Sequence, residues 1–304
     1  MEGIVIKSTG SWYSVLSPDG SITECKLKGR FKVQGIRTTN PLAVGDHVGF
    51  HVLQEEGTGL ISKISPRKNH IIRKATKLSK ESHILAANLD QAIIIVTLAE
   101  PRTSTGFIDR FLITAEAYHI PALIIFNKID LYNEKQMEDL AELKEVYEAA
   151  GYPSYSVSAL TGENLGEVED LLKDTVSLVA GHSGVGKSAL INALEPGLDL
   201  KTKPISKAHS KGVHTTTFAR MFRLSFGGFI IDTPGIKEFG LFDLDRNTLA
   251  ERYPEMRALM HACKYTNCTH LHEPGCAVKE AVKQGKLSKI RYEGYLRIMA
   301  DGGS

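Results

Sequence analysis

Gly181-His182-Ser183-Gly184-Val185-Gly186-Lys187-Ser188 combines glycines, a lysine and a hydroxyl at the spacing of a phosphate-binding loop. Backbone N–H groups in such a loop turn inward on phosphate oxygens, and glycines permit the sharp turns and close approach this requires. Lys187 is placed to reach the β- and γ-phosphates and to assist their cleavage, and Ser188 to bind Mg2+. Val185 and Ala189 complete the stretch expected to touch the nucleotide. Asn127-Lys128-Ile129-Asp130 offers the chemistry for a base. The Asp130 carboxylate can accept from the guanine ring N–H and exocyclic amine, a donor pair that adenine lacks on that edge. An unpaired buried carboxylate therefore penalises adenine nucleotides. Lys128 is expected along the base plane and Asn127 as a tie between loops. Ser158-Ala159-Leu160 supplies a second base-reading loop, with the Ala159 N–H directed at the guanine carbonyl.

Asp232-Thr233-Pro234-Gly235 adds the remaining phosphate-side groups. Asp232 is expected to hold Mg2+ through water, and the Gly235 N–H to meet the γ-phosphate. In Gly212-Val213-His214-Thr215-Thr216-Thr217, one threonine hydroxyl is expected to complete the Mg2+ shell. The register within the triplet stays open, with Thr216 and Thr217 the candidates. Ile236 stands where many GTPases carry a water-orienting glutamine, and an aliphatic side chain cannot orient water. Slow turnover in isolation is the expectation. The order is inverted: most GTPases place the phosphate loop before the base-reading loops, whereas here Asn127–Asp130 and Ser158-Ala159 precede Gly181. Strand positions in the sheet, not chain order, bring such loops together.

Cys263, Cys268 and Cys276, with a nearby histidine, form a second cluster. Three thiolates and an imidazole suit tetrahedral Zn2+ with no open position, hence a structural site. The residue types alone leave His261, His270 and His272 open as the imidazole. Cys25 stands far away in a strand pattern and reads as a small apolar core residue.

These groups need elements to position them. Residues 1–66 read as short strands, at Ile4–Ile6, Trp12–Leu16 and Ile22–Leu27, with Val44-Gly45-Asp46 turning into another. A small OB-type β-barrel fits, although an SH3-like barrel has a similar pattern. Pro66 and the basic run after it mark a linker. Across 67–240, apolar strands at 92–96, 122–126, 176–179 and 229–231 alternate with helices at 108–118, 134–150 and 165–173. That alternation predicts an α/β domain with a parallel sheet covered on both faces. The remainder, 241–304, reads as a mostly α zinc-binding domain, with a helical stretch at 246–260 interrupted near Pro254 and a helix at 277–299.

Of the 304 residues, 42% are hydrophobic and 24% charged, with a net charge of +2 that leaves partners undecided. The distribution is more informative. Lys63–Lys80 holds seven basic residues and no acid, Lys201–Arg220 is basic without an acid, and Lys279–Arg297 holds six basic residues against Glu280 and Glu293. Three clusters point to a polyanionic partner. Lys26, Lys28, Arg30 and Lys32 alternate along the barrel, which puts their charges on one side, a face OB folds use for RNA. The first residues carry no basic region followed by a long apolar run, and the expectation is a cytoplasmic monomer.

Taken together, the inverted motif order, the barrel, Gly212–Thr217 and the cysteine cluster resemble the ribosome-small-subunit-dependent GTPase A (RsgA) family, circularly permuted GTPases of bacterial ribosome assembly. The resemblance covers nearly the whole chain. It implies a Cys-x4-Cys-x-His-x5-Cys zinc module, which selects His270. It also implies binding to the small (30S) subunit and its rRNA late in maturation, with slow GTP hydrolysis that the ribosome stimulates. His214, in the position matching the family's Gly-x-His-Thr-Thr-Thr, is then the candidate to orient the attacking water. A different class stays open: an RNA-binding scaffold whose nucleotide site is a relic.

Overall fold

The computed structural model describes residues 1–28, 41–53, 57–74, 82–200, 219–232 and 246–301. Seven strands come first: β1 (Glu2–Ser8), β2 (Tyr13–Leu16), β3 (Ile22–Leu27), β4 (His47–Leu53), β5 (Thr58–Ile64), β6 (His70–Lys74) and β7 (Ser82–Ala87). Then strands and helices alternate as β8 (Gln91–Val96), α1 (Thr105–Ala117), β9 (Ala122–Phe126), α2 (Glu134–Ala149), β10 (Ser154–Ser156), α3 (Leu165–Leu172), β11 (Val176–Ala180) and α4 (Lys187–Leu194). The chain continues through β12 (Arg220–Arg223) and β13 (Phe229–Asp232) to α5 (Pro254–Met260), α6 (Ala277–Lys283) and α7 (Lys289–Asp301). It divides into two units, Met1–Ala92 with Gly166–Ala180 and Leu194–Ile236, and Ile93–Leu165 with Gly181–Ala193 and Lys237–Ser304.

In the first unit, β1 pairs antiparallel with both β2 and β4. The circuit closes through β2–β3, a parallel β3–β5 pair and β4–β5. This closed five-stranded order, with one parallel pair, is the OB-type barrel. Alternating inward residues fill it: Val5, Tyr13, Val15, Cys25, Val48, Phe50 and Ile61 form one buried cluster with Leu42. Cys25 is fully buried there, as its strand pattern predicts. β12 extends the barrel sheet through Lys7↔Arg220 and pairs antiparallel with β13, which runs parallel to β11. The sequence reading missed β12, because Arg-Met-Phe-Arg is too short and too charged to stand out as a strand.

The expected linker after Pro66 is ordered where it is described. Arg67 forks onto the buried Asp46 carboxylate, at 2.6 Å to each oxygen, and also donates to the Pro41 carbonyl. β6 and β7 then form an antiparallel hairpin. Basic composition concealed strand pairing here, and Arg67 spends its charge on Asp46 rather than on a partner.

In the second unit, β8 lies beside β9 and β9 pairs parallel with β10. Ile93–Val96 and Ile124–Phe126 are almost wholly buried, the continuous apolar runs expected of strands covered on both faces. Ile108, Phe111 and Leu112 of α1 are buried as well, while its Ile113 joins the core of the C-terminal helices with Tyr253, Met256, Val278 and Tyr295. The single helix expected over 277–299 is two. Gly285 at φ +70° ends α6, with the Lys286 N–H reaching back to the Ala281 carbonyl, a left-handed cap that other residues adopt at a cost. The helical stretch over 246–260 breaks near Pro254 as expected: a 3-10 segment, Arg246–Arg252, precedes α5, which has Pro254 at its start.

Candidate nucleotide and zinc sites

Three loops at the carboxyl ends of strands meet in the second unit, the usual place for a ligand crevice in an α/β sheet. Asn127 follows β9, is 1% exposed, and spans them. Its Nδ2 donates to the Val185 carbonyl of the phosphate loop at 2.9 Å, and its Oδ1 accepts from the Ala159 N–H at 3.1 Å. Gly186 permits this approach: at φ +91°, a Cβ there would lie 2.4 Å from Asn127 Nδ2. Asp130 accepts from the Ser158 hydroxyl, whose oxygen accepts the Thr161 N–H. Tyr132 braces the loop, donating to the Asn127 carbonyl while accepting from the Leu98 N–H.

Charge is distributed to suit a phosphorylated ligand. The Lys187 ammonium donates to the Gly181 and His182 carbonyls at 2.6 and 3.3 Å, so it lies against the turn it is expected to serve. Lys128, at φ +65°, donates to the Glu100 carbonyl at 2.6 Å. Burial lowers its pKa, and the nearby Asp130 pulls the other way. Ser183, Gly184 and Ala189 are exposed, whereas Val185 is fully buried and anchors the turn. Ser188 lies in the first turn of α4. In the first unit, Asp232 closes β13, in register with Val179 of β11. Ser188 carries a hydroxyl and Asp232 a carboxylate, each by itself a type of oxygen donor that Mg2+ takes. His214, Thr215, Thr216, Thr217 and Gly235 lie outside the described residues, as do Arg30 and Lys32.

Sequence reasoning missed the loop between β8 and α1. Glu100 holds Lys128, and the Thr103 hydroxyl lies 2.8 Å from His182 Nε2. Phe107 meets the His182 ring edge-on, with centroids 5.3 Å apart. No motif marks this loop. Its position directly after a buried strand was the available signal.

Cys263, Cys268, His270 and Cys276 converge, with their ligand atoms all within 4.8 Å of one another. His270 turns Nδ1 toward the sulfurs, 3.7 Å from Cys263 and 3.3 Å from Cys276. A zinc tetrahedron with ordinary bond lengths has edges of about 3.6–3.8 Å, so the donors fit the ion. Burial lowers the His270 pKa, which favours the neutral imidazole that a metal binds, and pushes the Cys268 thiol up to about 12. His261 and His272 are exposed and outside the cluster. Support comes from α7, where Tyr292 and Tyr295 donate to the His270 and Thr269 carbonyls, each at 2.6 Å. The Glu273 carboxylate accepts four donors: the Thr269 hydroxyl and the N–H groups of Thr269, Leu271 and His272. Elemental analysis of the purified chain is expected to find about one zinc per molecule, as a closed four-ligand site requires. A metal-free chain with the C-terminal helices intact would refute the assignment.

Residues 64–242 match the RsgA GTPase family and residues 2–61 the RsgA N-terminal domain. The chain belongs to the RsgA GTPase family. A Bacteroides fragilis relative, described as small ribosomal subunit biogenesis GTPase RsgA, is 54% identical across 99% of this chain and 97% of its own. A Christiangramia forsetii relative of the same description is 51% identical, covering 98% and 96%. Among solved structures, YjeQ from Thermotoga maritima superposes with a TM-score of 0.81 at 35% identity, covering 99% of this chain and 97% of that one. YloQ, described as a circularly permuted GTPase, gives 0.77 at 30% identity, covering 99% and 94%. This RsgA-family protein is therefore a GTP hydrolase of permuted order, working with Mg2+, and its Cys3His cluster fits one structural zinc. Among the described residues, no helix is long and apolar enough to cross a membrane.

Proposed function

We propose that this protein is a cytoplasmic, monomeric GTPase that binds the small ribosomal subunit and its rRNA during late maturation, and that nucleotide hydrolysis releases it. The observation that carries the reading is Asn127, which joins the phosphate loop to both base-reading loops although they follow in inverted order. In this reading Asp130, Lys128 and the Ala159 N–H recognise guanine. The turn from Gly181 to Ala189 cradles the phosphates, with Lys187 over the β- and γ-groups. Ser188, Asp232 and a threonine of the Thr216-Thr217 pair hold Mg2+, which would neutralise charge developing on the transferred phosphoryl group. The Gly235 N–H meets the γ-phosphate.

Three domains fit this division of labour: 1–66 and 241–304 for RNA, and 67–240 for nucleotide. The family matches at 2–61 and 64–242 support those boundaries. The barrel offers Lys26, whose ammonium sits 4.3 Å from the Trp12 ring centroid, and the exposed Lys28 beside it. Such contacts make binding weaken steeply with salt. The test is GTP turnover alone, with small subunits, and with large subunits. Stimulation by small subunits alone is expected, and equal rates in all three would overturn the proposal. His214→Ala is expected to lower the stimulated rate by about 10²-fold, the scale of one catalytic group, with nucleotide affinity nearly unchanged. Full stimulation in that variant would remove His214 from the mechanism.

A further inference from the structure

The β8–α1 loop touches the base side and the phosphate side of the nucleotide site at once. The Glu100 carbonyl holds the Lys128 ammonium. Pro101 covers Gly184 so closely that a Cβ there would lie 3.2 Å from Pro101 Cδ. The Thr103 hydroxyl reaches His182, and Phe107 closes on the same ring. We infer that this loop is a strap that holds the phosphate loop in its nucleotide-ready form, with Thr103 as a positioning residue acting through His182. The inference rests on the nucleotide-site reading given above.

The physical need is clear from the sequence. A turn with glycines at 181, 184 and 186 has many conformations, and freezing them on binding costs affinity. The His182 side chain ties this turn to another element through the Thr103 hydroxyl. Fixing its ring fixes the peptides on either side, whose carbonyls accept Lys187 and whose N–H groups must face the phosphates.

The strap end is itself rigid. Thr103 is 3% exposed, and its N–H donates to the Thr97 carbonyl at 2.8 Å. The Thr97 N–H donates into the Thr103 hydroxyl oxygen at 3.1 Å. His182 Nδ1 faces the Ser183 carbonyl at 3.4 Å, an acceptor that suits a proton on Nδ1 and leaves Nε2 to accept the Thr103 hydroxyl proton. Burial and Lys187 both lower the pKa of that imidazole, in keeping with the neutral form. Ser104 then caps α1 through the Phe107 N–H, so strap and helix begin as one piece. Serine can reproduce both roles of the Thr103 hydroxyl, and valine neither.

The test uses the full chain with GDP and a non-hydrolysable GTP analogue, titrated by calorimetry, alongside KM, kcat, zinc content and thermal midpoint. Thr103→Val and His182→Ala are each expected to weaken both nucleotides by about three- to tenfold, the scale of one hydrogen bond, through KM rather than kcat. Thr103→Ser should stay within about twofold of wild type. The double variant should be no weaker than the worse single one, because both remove the same contact. Wild-type affinity in Thr103→Val, equal losses for valine and serine, or multiplied losses in the double variant would each overturn the strap. If Thr103→Val fails to fold, His182→Ala decides, and wild-type affinity there overturns it too. A wild-type chain that binds no guanine nucleotide removes the site reading and the strap together, whereas wild-type binding with unaffected variants removes the strap alone.

Discussion

Asp130→Asn is expected to abolish the preference for GTP and to create one for xanthosine triphosphate. The carboxylate is the group proposed to accept the guanine ring N–H and its exocyclic amine. An amide in its place opposes a donor to those donors. A site built to hydrogen-bond a group rejects an analogue that breaks the pairing by factors of up to about 10⁴–10⁵. A loss of GTP affinity of about 10²–10⁴ is therefore expected. Xanthine carries a carbonyl where guanine carries the amine, which restores complementarity. The structure indicates which way the new amide turns. The Ser158 oxygen already accepts the Thr161 N–H, so its proton is committed to residue 130. An asparagine oxygen would take that proton and leave the NH2 facing the base. Titrating the variant with guanosine, xanthosine and adenosine triphosphates checks this. Unchanged GTP affinity would show that Asp130 does not read the base.

How much of this was legible beforehand depended on whether a pattern was local. Gly181–Ser188 and Asn127–Asp130 carry their geometry in consecutive residues. The strands before them are apolar and buried, broken only by Ser177, so both were visible in the sequence. The cysteine spacing was visible too, and His270 needed the family resemblance, since His261 and His272 are equally near in the chain. Elements defined by pairing were not legible. β12 and the β6–β7 hairpin look like basic loops until their partners are known. Charge counting misled at particular positions: Arg67 and Arg291 were counted toward a polyanion-binding surface, yet both are paired with buried carboxylates, and Arg291 is itself buried. The strap loop has no motif because its work is done by backbone carbonyls and one hydroxyl.

Arg291→Ala is expected to destabilise the second unit by about 3–5 kcal/mol, the scale for breaking a buried ion pair from one side. Arg291, on α7, is 1% exposed. Its guanidinium contacts Asp109 of α1 and donates to Glu255 of α5 at 2.7 Å. The rings of Tyr253, Tyr147 and Tyr152 surround it, with centroids at 4.6, 5.4 and 5.6 Å. Gly294 accommodates Asp109, since a Cβ there would fall 1.9 Å from the carboxylate. Burial pushes the Asp109 carboxyl up to about 6 even with Arg291 pulling it down. Without the arginine it rises further, and the native state binds a proton that the unfolded chain, near pH 4, has released. Stability of the variant therefore falls as pH rises from about 4, and the deficit is complete only above the raised folded value. Arg291→Lys should cost less, because charge survives while the planar fork and the stacking are lost. Arg291→Met combined with Asp109→Leu should cost less than Arg291→Ala, because no carboxylate is stranded on α1. Denaturant unfolding at pH 5 and pH 8 checks all three. α7 also carries Tyr292 and Tyr295 against the zinc loop, and α1 begins at the strap on His182. One buried arginine thus joins the helix whose tyrosines brace the zinc loop to the helix whose Phe107 meets His182. A variant as stable as wild type at pH 8 would show that this junction is held by apolar packing alone.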